Sequence, residues 1–556
     1  MRGDPAEETL LANAAALVQR ANIDSDADLG PLFQSPPSDA DPEALKRLRQ
    51  MFEAGGWVLV ESAIADLPAD LRWLFESGAV TLEQLTAIHR TLGAMSVADL
   101  AAAVNERSLG AVEGIGPQVE AAVAAALPLL RVSIPRIPLG RATAVAEPIV
   151  NALRDVPGVR WAYPTGSLRR GQDMVGDIEI VASCADPAPA MAQVIALGDE
   201  GRWLHRSERR LYMLSDRVQV GVRLARPENA GADLLYLSGS PAHFALLQAF
   251  ASGAGWRLAA GGLYGHDGHL RPAATEDEIY AALGMPCIPP EIRAGEDEID
   301  AAISGALPAL VSRHDIRGDL HLHTAWSDGR DSIDVMVERC RTLGYQYVAI
   351  TDHSPHSAAT RNLTVDGVKR QAEEIAEVRL RYPEIAILHG CEVDILPDGR
   401  LDFPDRVLER FDIVLASLHE RAGQTPDQLM KRYVGAMRHP LVTLITHPTN
   451  RMAPHKRGYE LDYDRLFEAA VETRTAVEID GSPTHLDLDG PLARRAIAAG
   501  ATVAINSDCH RAEMLARQMQ LGIVTARRGW VEPRHVLNAR PLEEVRAVIA
   551  AKRASR

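Results

Sequence analysis

Apolar positions in the second half of the chain follow two alternating periods. Short apolar runs such as Tyr347–Ile350 and Leu441–Ile445 are typical of buried parallel strands, and segments with apolar residues three and four apart separate them. Thr425 and Pro426 are a typical helix start. Seven such strand and helix units predict a closed parallel barrel with its active face at the carboxyl ends of the strands.

The first 130 residues show apolar spacing of the helical kind only. The segments with this spacing are Glu8–Gln19, Pro42–Phe52, Leu82–Leu92 and Val97–Val104. Before an Ala-rich helix, Gly114-Ile115-Gly116 fits either a helix-hairpin-helix turn whose amides meet a DNA phosphate or an ordinary helix cap. The pattern predicts an all-α region that carries no catalytic cluster.

Between about residues 140 and 225 the periodicity becomes mixed. A Gly166-Ser167 turn with Arg170 precedes a strand in which Asp177 and Glu179 lie two apart, so both carboxylates project from one face. They could hold Mg²⁺ ions that bridge to nucleotide phosphates, with Ser167 and Arg170 on those phosphates. The alternative is a solvated edge strand with two acidic residues.

Histidines and carboxylates recur at the ends of the predicted barrel strands. His321 and His323 are two apart in a strand, where they share a face, and Asp328 and His353 follow in the same strand-helix-strand unit. Later strands lead to further candidates, namely Glu392, Asp394, His419, His447, Glu478, Asp480, Asp508 and His510. This pattern predicts a metal site on the rim.

Composition narrows the class of protein. The chain has 556 residues, enough for three or four domains at about 150 residues each. A net charge of -16 excludes a uniformly basic nucleic-acid coat but permits a local basic groove. Five scattered cysteines and an acidic start without a signal-peptide pattern lead us to expect a cytoplasmic protein that contacts no membrane, and we expect a monomer.

Two motifs, GSLRRG at 166–171 and GDIE at 176–179, resemble the palm of bacterial family X DNA polymerases, which are relatives of DNA polymerase beta. The turn from Tyr236 to Gly239 resembles the nucleotide contact of that family, and Asp277–Arg293 its thumb. Members also carry a C-terminal PHP (polymerase and histidinol phosphatase) domain, a TIM-like barrel. The resemblance implies five segments: a helix-hairpin-helix region at 1–130, a palm at 131–225, a thumb at 226–295, a linker at 296–316 and a PHP domain at 317–556.

The resemblance also implies the metal ligands. Nine residues match the PHP set, namely His321, His323, Asp328, His353, Glu392, His419, His447, Asp508 and His510. The family arrangement implies three ions: one held by His321, His323, Glu392 and Asp508, one by Glu392, His419 and His447, and one by Asp328, His353 and His510. Mixed imidazole and carboxylate ligands favour Mn²⁺, Zn²⁺ or Fe²⁺, whereas a working palm would use Mg²⁺.

The palm departs from the family pattern at two catalytic positions. Glu179 stands where the family has a second Asp, and Gly221 stands where it has the third catalytic Asp. Asp216 is five residues from Gly221, so on a regular strand it points to the opposite face. In addition, Leu258–Leu263 replaces an Asn-Glu-Tyr run near the incoming nucleotide. We therefore expect DNA polymerase activity to be absent or very weak.

These features lead to one main hypothesis and two alternatives. The main one is a DNA repair protein that binds gapped or primer-template DNA and hydrolyses phosphoesters in its PHP domain, as a 3'-5' exonuclease that also processes abasic sites or 3' phosphates. Arg451, four residues after His447, is a candidate phosphate clamp, or else a surface arginine. The alternatives are a small-molecule phosphatase of the histidinol phosphatase type and a non-catalytic DNA-binding scaffold.

Overall fold

The computed structural model describes residues 13–14, 17–18, 36–37, 40–46, 48, 74–75, 78–92, 100, 103–104, 108–129, 136–176, 178–197, 203–215, 218–357, 359, 361–453 and 455–554. The chain divides into two compact units. One comprises residues 57–307, and the other comprises residues 1–56 together with 308–556. Each unit is described by itself.

Two helices are described near the front of the first unit, α1 (Leu82–Leu92) and α2 (Pro117–Leu129). Leu85 and Ile88 of α1 and Val123 of α2 are fully buried in one apolar cluster, which explains why this spacing folds as helix. Of the four predicted segments, α1 is confirmed. The other three fall wholly or partly outside the described residues, so the all-helical character of 1–130 stays a prediction.

The palm-like part of this unit is a five-stranded mixed sheet flanked by helices. The strands of the unit are β1 (Ile137–Pro138), β2 (Val159–Pro164), β3 (Met174–Val175), β4 (Ile178–Cys184), β5 (Trp203–Arg206), β6 (Arg210–Ser215), β7 (Val218–Ala225), β8 (Arg257–Ala259), β9 (Gly262–Tyr264) and β10 (Leu270–Arg271). The sheet order is β2-β4-β7-β6-β5, and only β4 and β7 are parallel to each other. The helices are α3 (Leu139–Arg154), α4 (Gly166–Arg169), α5 (Ala188–Leu197), α6 (Ala230–Ser238), α7 (Pro241–Gly253), α8 (Glu276–Ala282) and α9 (Glu298–Ser304). This arrangement agrees with the predicted α+β palm and thumb.

The second unit contains the predicted parallel barrel. Its strands are β11 (Gly318–Asp319), β12 (Tyr347–Ile350), β13 (Ala386–Asp394), β14 (Ile413–Ser417), β15 (Val442–Ile445), β16 (Ala476–Asp480) and β17 (Val503–Asn506). The helices are α10 (Ile333–Thr342), α11 (Val365–Arg381), α12 (Asp405–Leu408), α13 (Pro426–Arg438), α14 (Tyr463–Thr473), α15 (Gly490–Ala498), α16 (Leu515–Arg528) and α17 (Leu542–Arg553). All seven strands are parallel and follow chain order, which confirms the seven-stranded fold.

The barrel closes between its first and last strands. A parallel bridge pairs Leu322 with Cys509, and the His323 amide donates to the Cys509 carbonyl at 2.9 Å. The Asp508 amide in turn donates to the His321 carbonyl at 3.1 Å. The residues just beyond β11 and β17 therefore meet along a seam at the carboxyl ends of the strands.

Alternate residues of the strands belong to different apolar clusters. Val348 and Ile350 pack outward against the surrounding helices, whereas Tyr347 and Ala349 belong to a second cluster that includes Val545 of α17. The ammonium of Lys552, also on α17, donates to carbonyls that precede β15 and β16. Helix α17 therefore covers the amino ends of the strands, and the opposite rim carries the candidate ligands.

No helix in the described part of the chain is long and apolar enough to cross a membrane. The division of the chain into segments at 1–130, 131–225, 226–295, 296–316 and 317–556 stays a prediction. The predicted helix start is confirmed, because the Thr425 hydroxyl accepts from the Gln428 amide in a full capping box with Pro426 at the first helical position.

Candidate metal centre and polymerase-like site

The strand ends place all nine predicted ligands on one rim of the barrel. Glu392 lies within β13, and the other eight follow the carboxyl ends of their strands, as expected for a parallel barrel. Glu392, His321 and His323 are at most 1% exposed. Within these nine residues, three groups have one ligand atom from each member within 4.8 Å of the others: first His321, His323 and Asp508; second His323, Asp328, His353 and His510; and third His353, Glu392 and His419.

The first group is formed across the barrel seam. Nε2 of His323 lies 3.1 Å from Oδ1 of Asp508 and 3.7 Å from Oε2 of Glu392. Nε2 of His321 lies 3.5 Å from Oε1 of Glu392 and 3.6 Å from Oδ1 of Asp508. Two imidazoles and two carboxylates thus converge, in agreement with the first set that the resemblance implies.

A second group surrounds Asp328. Its Oδ1 lies 3.2 Å from Nε2 of His510, and its Oδ2 lies 3.5 Å from Nε2 of His353. Burial opposes charge on the His510 ring, but the Asp328 carboxylate outweighs it and raises the pKa of His510 to about 9. Burial, together with the neighbouring rings of His353 and His510, lowers the pKa of His323 to about 3. The negative charge of Asp328, which favours a proton on His510, would equally favour a bound cation.

The third group is centred on Glu392. Its Oε1 lies 2.9 Å from Nε2 of His447 and 3.9 Å from Nε2 of His419, and its Oε2 lies 2.9 Å from Nδ1 of His353. Although burial opposes ionisation, the histidines around it, led by His321 and His353, hold the pKa of Glu392 well below its usual range. Glu392 therefore contacts members of every group and is the natural bridging ligand.

The donor set fits divalent metal ions. Among the described residues, Oδ1 of Asp328, Oε2 of Glu392 and the Nδ1 atoms of His353 and His447 are buried and make no hydrogen bond of good geometry, although Nδ1 of His353 lies 2.9 Å from Oε2 of Glu392. Unsatisfied buried carboxylate oxygens are costly unless a cation binds them. Imidazole mixed with carboxylate suits transition metals better than Ca²⁺ or Mg²⁺.

Two carboxylates that the sequence offered as candidate ligands outside the nine support the histidines instead. Glu478, in the middle of β16, accepts from Nδ1 of His321, from the Asn506 amide group and from the His447 backbone amide, each at 2.8 Å. Asp394 lies 2.9 Å from Nδ1 of His419. These carboxylates fix which ring nitrogen faces the centre. The sequence pointed to Glu478 and Asp394 as candidates but not to their role as partners of His321 and His419.

The candidate phosphate clamp Arg451 makes hydrogen bonds to a loop and does not project alone into the metal centre. Its Nε donates to the His485 carbonyl at 2.8 Å, it also donates to the Leu486 carbonyl, and its Nη1 lies 3.5 Å from Asp489. The Arg451 side chain is 15% exposed. These contacts position the loop 481–489, and the role of Arg451 as a clamp stays a prediction.

The arginines of the palm-like turn bind protein groups. Arg170 donates to the Ser238 carbonyl at 2.7 Å, so it joins the turn after Gly166 and Ser167 to the end of α6. Its neighbour Arg169 makes two hydrogen bonds to the buried Glu276, at 3.0 and 2.7 Å. Sequence reasoning missed this ion pair, which joins α4 to the thumb-like helix α8.

The nucleotide-contacting turn lies at the end of α6. The Tyr236 ring is 44% exposed and packs edge-on against Phe244 at 5.0 Å between centroids. A Cβ at Gly239 would lie 2.9 Å from the His243 ring, so the close packing of α6 on α7 requires glycine there. Asp177 and Asp216 lie outside the described residues.

Gly221 and Glu179 face each other in the paired strands β4 and β7. A Cβ built on Gly221 would lie 2.4 Å from Oε1 of Glu179 and 2.5 Å from its Cδ. The Glu179 carboxylate therefore occupies the space that a side chain at 221 would need. The two departures from the family pattern are physically coupled, because the longer Glu179 side chain occupies the space over Gly221.

The helix-hairpin-helix candidate has the geometry of a tight turn. Gly114 has φ +81 and α2 begins at Pro117. Both a DNA-binding hairpin and an ordinary cap require this conformation. The choice between them stays open.

Family models and relatives agree with this architecture. The PHP domain model matches residues 319–479, and the DNA polymerase beta thumb model matches residues 233–294. The DNA polymerase/3'-5' exonuclease PolX of Bacillus subtilis is 33% identical over 506 residues, which cover 90% of this chain and 88% of that protein. A probable phosphatase of Caldanaerobacter subterraneus is 30% identical over 205 residues, 34% of this chain and 75% of its own length.

A solved ternary complex of Leishmania infantum polymerase beta matches 38% of this chain and 94% of its own, with 14% identity and a TM-score of 0.26. The barrel and its rim define a PHP domain, a metal-dependent hydrolase. The chain as a whole belongs to the bacterial family X DNA polymerases that carry a C-terminal PHP domain.

Proposed function

We propose that the PHP barrel is a 3'-5' exonuclease that acts on DNA during repair, with abasic sites and 3' phosphates as further substrates. The observation that carries the proposal is the convergence of nine imidazole and carboxylate side chains on one rim, in a chain whose other unit has a polymerase-like sheet. The name of the Bacillus subtilis relative supports the same reaction. DNA, gapped or primer-template, is the proposed partner.

The nine ligands would hold the ions in three sets, of which the first two share Glu392. When bound, such ions lower the pKa of water and neutralise charge on the phosphate and on the leaving oxygen. The protein groups around them fix geometry: Glu478 orients His321, and Asp394 orients His419. Mn²⁺, Zn²⁺ or Fe²⁺ is the proposed metal, and we expect about three tightly bound ions per chain at about three ligands per ion. A reproducible content of one or fewer after reconstitution would contradict this.

We also propose that the polymerase reaction is lost or very weak. Gly221 offers no ligand. The single Glu179 carboxylate, which lies against Gly221, cannot supply both its own ligand position and the position that a carboxylate at 221 would supply. Losing the ligand of the primer-side cation is expected to cost about a thousandfold or more in rate, or several kcal/mol. Nucleotide and Mg²⁺ binding through Asp177 and Glu179 remain compatible with this proposal.

One assay tests both proposals. A labelled primer-template is incubated with Mn²⁺, with and without nucleotides, and primer length is followed. We expect the primer to shorten in both conditions. Extension by a His321→Ala protein, which lacks the nuclease, would refute the loss of polymerisation, and no shortening by the unmodified protein would refute the exonuclease.

A small-molecule phosphatase is the second candidate, because the PHP part is 30% identical to a probable phosphatase. It predicts release of phosphate from small phosphoesters at a rate that added DNA does not reduce. A non-catalytic DNA-binding scaffold is the third candidate. It predicts salt-dependent DNA binding without turnover of either substrate.

A further inference from the structure

A fourth group of potential ligands lies beside the nine-residue centre and consists of Asp480 at the end of β16, His485 in the loop that follows and Asp508 after β17. Asp480, His485 and Asp508 each offer one ligand atom, and these atoms lie within 4.8 Å of one another. Of the three, only Asp508 belongs to the predicted set. Asp480 and His485 thus form an extension of the rim that the three-ion arrangement leaves unused.

The polar atoms of this group are buried and incompletely bonded. Asp480 is 0% exposed, and one of its oxygens, Oδ1, accepts from the Ser482 amide at 2.6 Å. Among the described residues, its Oδ2 has no hydrogen-bond donor, and the buried Nδ1 of His485 has no partner. A buried carboxylate oxygen without a donor is costly unless it holds a proton or a cation.

The surrounding charge makes Asp480 differ from Glu478, two residues earlier on the same strand. Glu478 accepts from three donors, so its charge is compensated. Asp480 has only one backbone amide and lies near the Asp508 carboxylate. A divalent cation between Asp480 and Asp508 would compensate the negative charge of both carboxylates. A single proton shared between them would compensate that charge less completely.

Hydrogen bonds to Arg451 and Thr449 fix the loop that carries His485. Arg451 donates to the carbonyls of His485 and Leu486, while Asp487 accepts from the backbone and hydroxyl of Thr449 at 3.0 and 2.8 Å. The His485 ring stacks on the His447 ring, with centroids 5.2 Å apart. A preorganised imidazole loses little conformational freedom on binding an ion.

We propose that Asp480, His485 and Asp508 bind an additional divalent transition-metal ion, contiguous with the main centre through the shared Asp508. Because Asp508 also serves the main centre, only Asp480 and His485 belong to this ion alone, so it binds more weakly than the others and exchanges with solution. The proposal rests on the proposed function only in that Asp508 also serves the main centre. It assigns to Arg451 the role of positioning His485.

The test uses the full-length protein, stripped with a chelator and titrated with Zn²⁺ or Mn²⁺. Calorimetry and metal analysis are compared for the unmodified protein, the Asp480→Asn/His485→Gln variant and a His439→Gln control, whose histidine pairs with Asp405 away from the rim. Asn keeps the acceptor for the Ser482 amide. We expect the unmodified protein and the control to bind one ion more than the double variant, or to bind their weakest ion at least about tenfold more tightly.

Each outcome decides something. Equal metal content and affinity in all three proteins would overturn the inference. So would a stabilised Asp480→Asn/His485→Gln variant with unchanged metal content, because that result means that Asp480 holds a proton. Circular dichroism checks folding, and if the double variant is misfolded, His485→Gln alone is titrated with the same criteria. If the unmodified protein bound no ion in the titration, that result would count against the main centre, and it would overturn this site too.

Discussion

Substitution of Gly221 by Asp tests the coupling between the two altered palm positions. A Cβ at 221 falls 2.4 Å from Oε1 of Glu179, so the Glu179 carboxylate must rotate away. The new carboxylate then lies next to the Glu179 carboxylate. Without a cation this crowding is unfavourable, whereas a bound Mg²⁺ would use the same oxygens as ligands.

The size of the effect follows from the geometry. Two unit charges about 4 Å apart repel by about 4 kcal/mol at an effective dielectric constant of about 20. Glu179 is partly exposed, so we reduce this to about 1–2 kcal/mol. For a unit of this size that corresponds to a fall in melting temperature of about 2–8 °C. Gly221→Ala, which adds the Cβ but no charge, isolates the steric part.

The assay is thermal unfolding of Gly221→Asp and Gly221→Ala in EDTA and in Mg²⁺. We expect the Asp variant to melt below the Ala variant in EDTA, and Mg²⁺ to reduce that difference. Ions bound by the barrel affect both variants alike and cancel in the comparison. Equal melting temperatures in EDTA, or a difference that Mg²⁺ leaves unchanged, would refute the reasoning. If it holds, primer extension should require Gly221→Asp combined with the shorter Glu179→Asp.

Three further predictions concern the centre and the thumb-like helices. Glu392→Ala should abolish Mn²⁺-dependent DNA hydrolysis while DNA binding, followed by fluorescence anisotropy, remains within about twofold; digestion at the unmodified rate would mean that the active site lies elsewhere. Glu478→Gln should weaken metal affinity by about 10–100-fold in chelator competition, because it no longer accepts from His321 as a carboxylate; unchanged affinity would show that the contact is incidental. His243 is buried, which lowers its pKa below the ordinary value of 6.5 despite Glu298. The unfolded chain therefore takes up the proton first, so stability should fall as pH drops below about 6.5, and His243→Gln should flatten that dependence in melting experiments.

The barrel could be predicted because its rules are local. Strand runs, helix spacing and the position of each ligand at a strand end follow from periodicity, and parallel strands bring such residues to one rim. The sequence could not show which groups hold the ligands in place. Glu478 and Asp394 act through partners 157 and 25 residues away, and no spacing rule connects them.

The palm shows the opposite case, in which reading positions one at a time was insufficient. Glu179 and Gly221 each look like a separate loss in the sequence, but cross-strand pairing makes the Glu179 side chain fill the space over Gly221. Arg170, which the sequence predicts as a phosphate ligand, also donates to a carbonyl of the adjacent turn, a contact that the sequence did not indicate. Long flexible side chains find partners that depend on tertiary packing, which a single sequence does not encode locally.

The seam of the barrel places a requirement on the order of assembly. The first-group ligands come from both sides of the seam, His321 and His323 after β11 and Asp508 after β17, and His323 and Asp508 are 185 positions apart in the sequence. That set cannot form until the last strand has docked beside the first, so we expect an ion held there to bind late in folding and then to hold the first and last strands together. Chelation should consequently loosen this junction before the rest of the barrel, and protease cleavage beside residues 321–331 should report that opening.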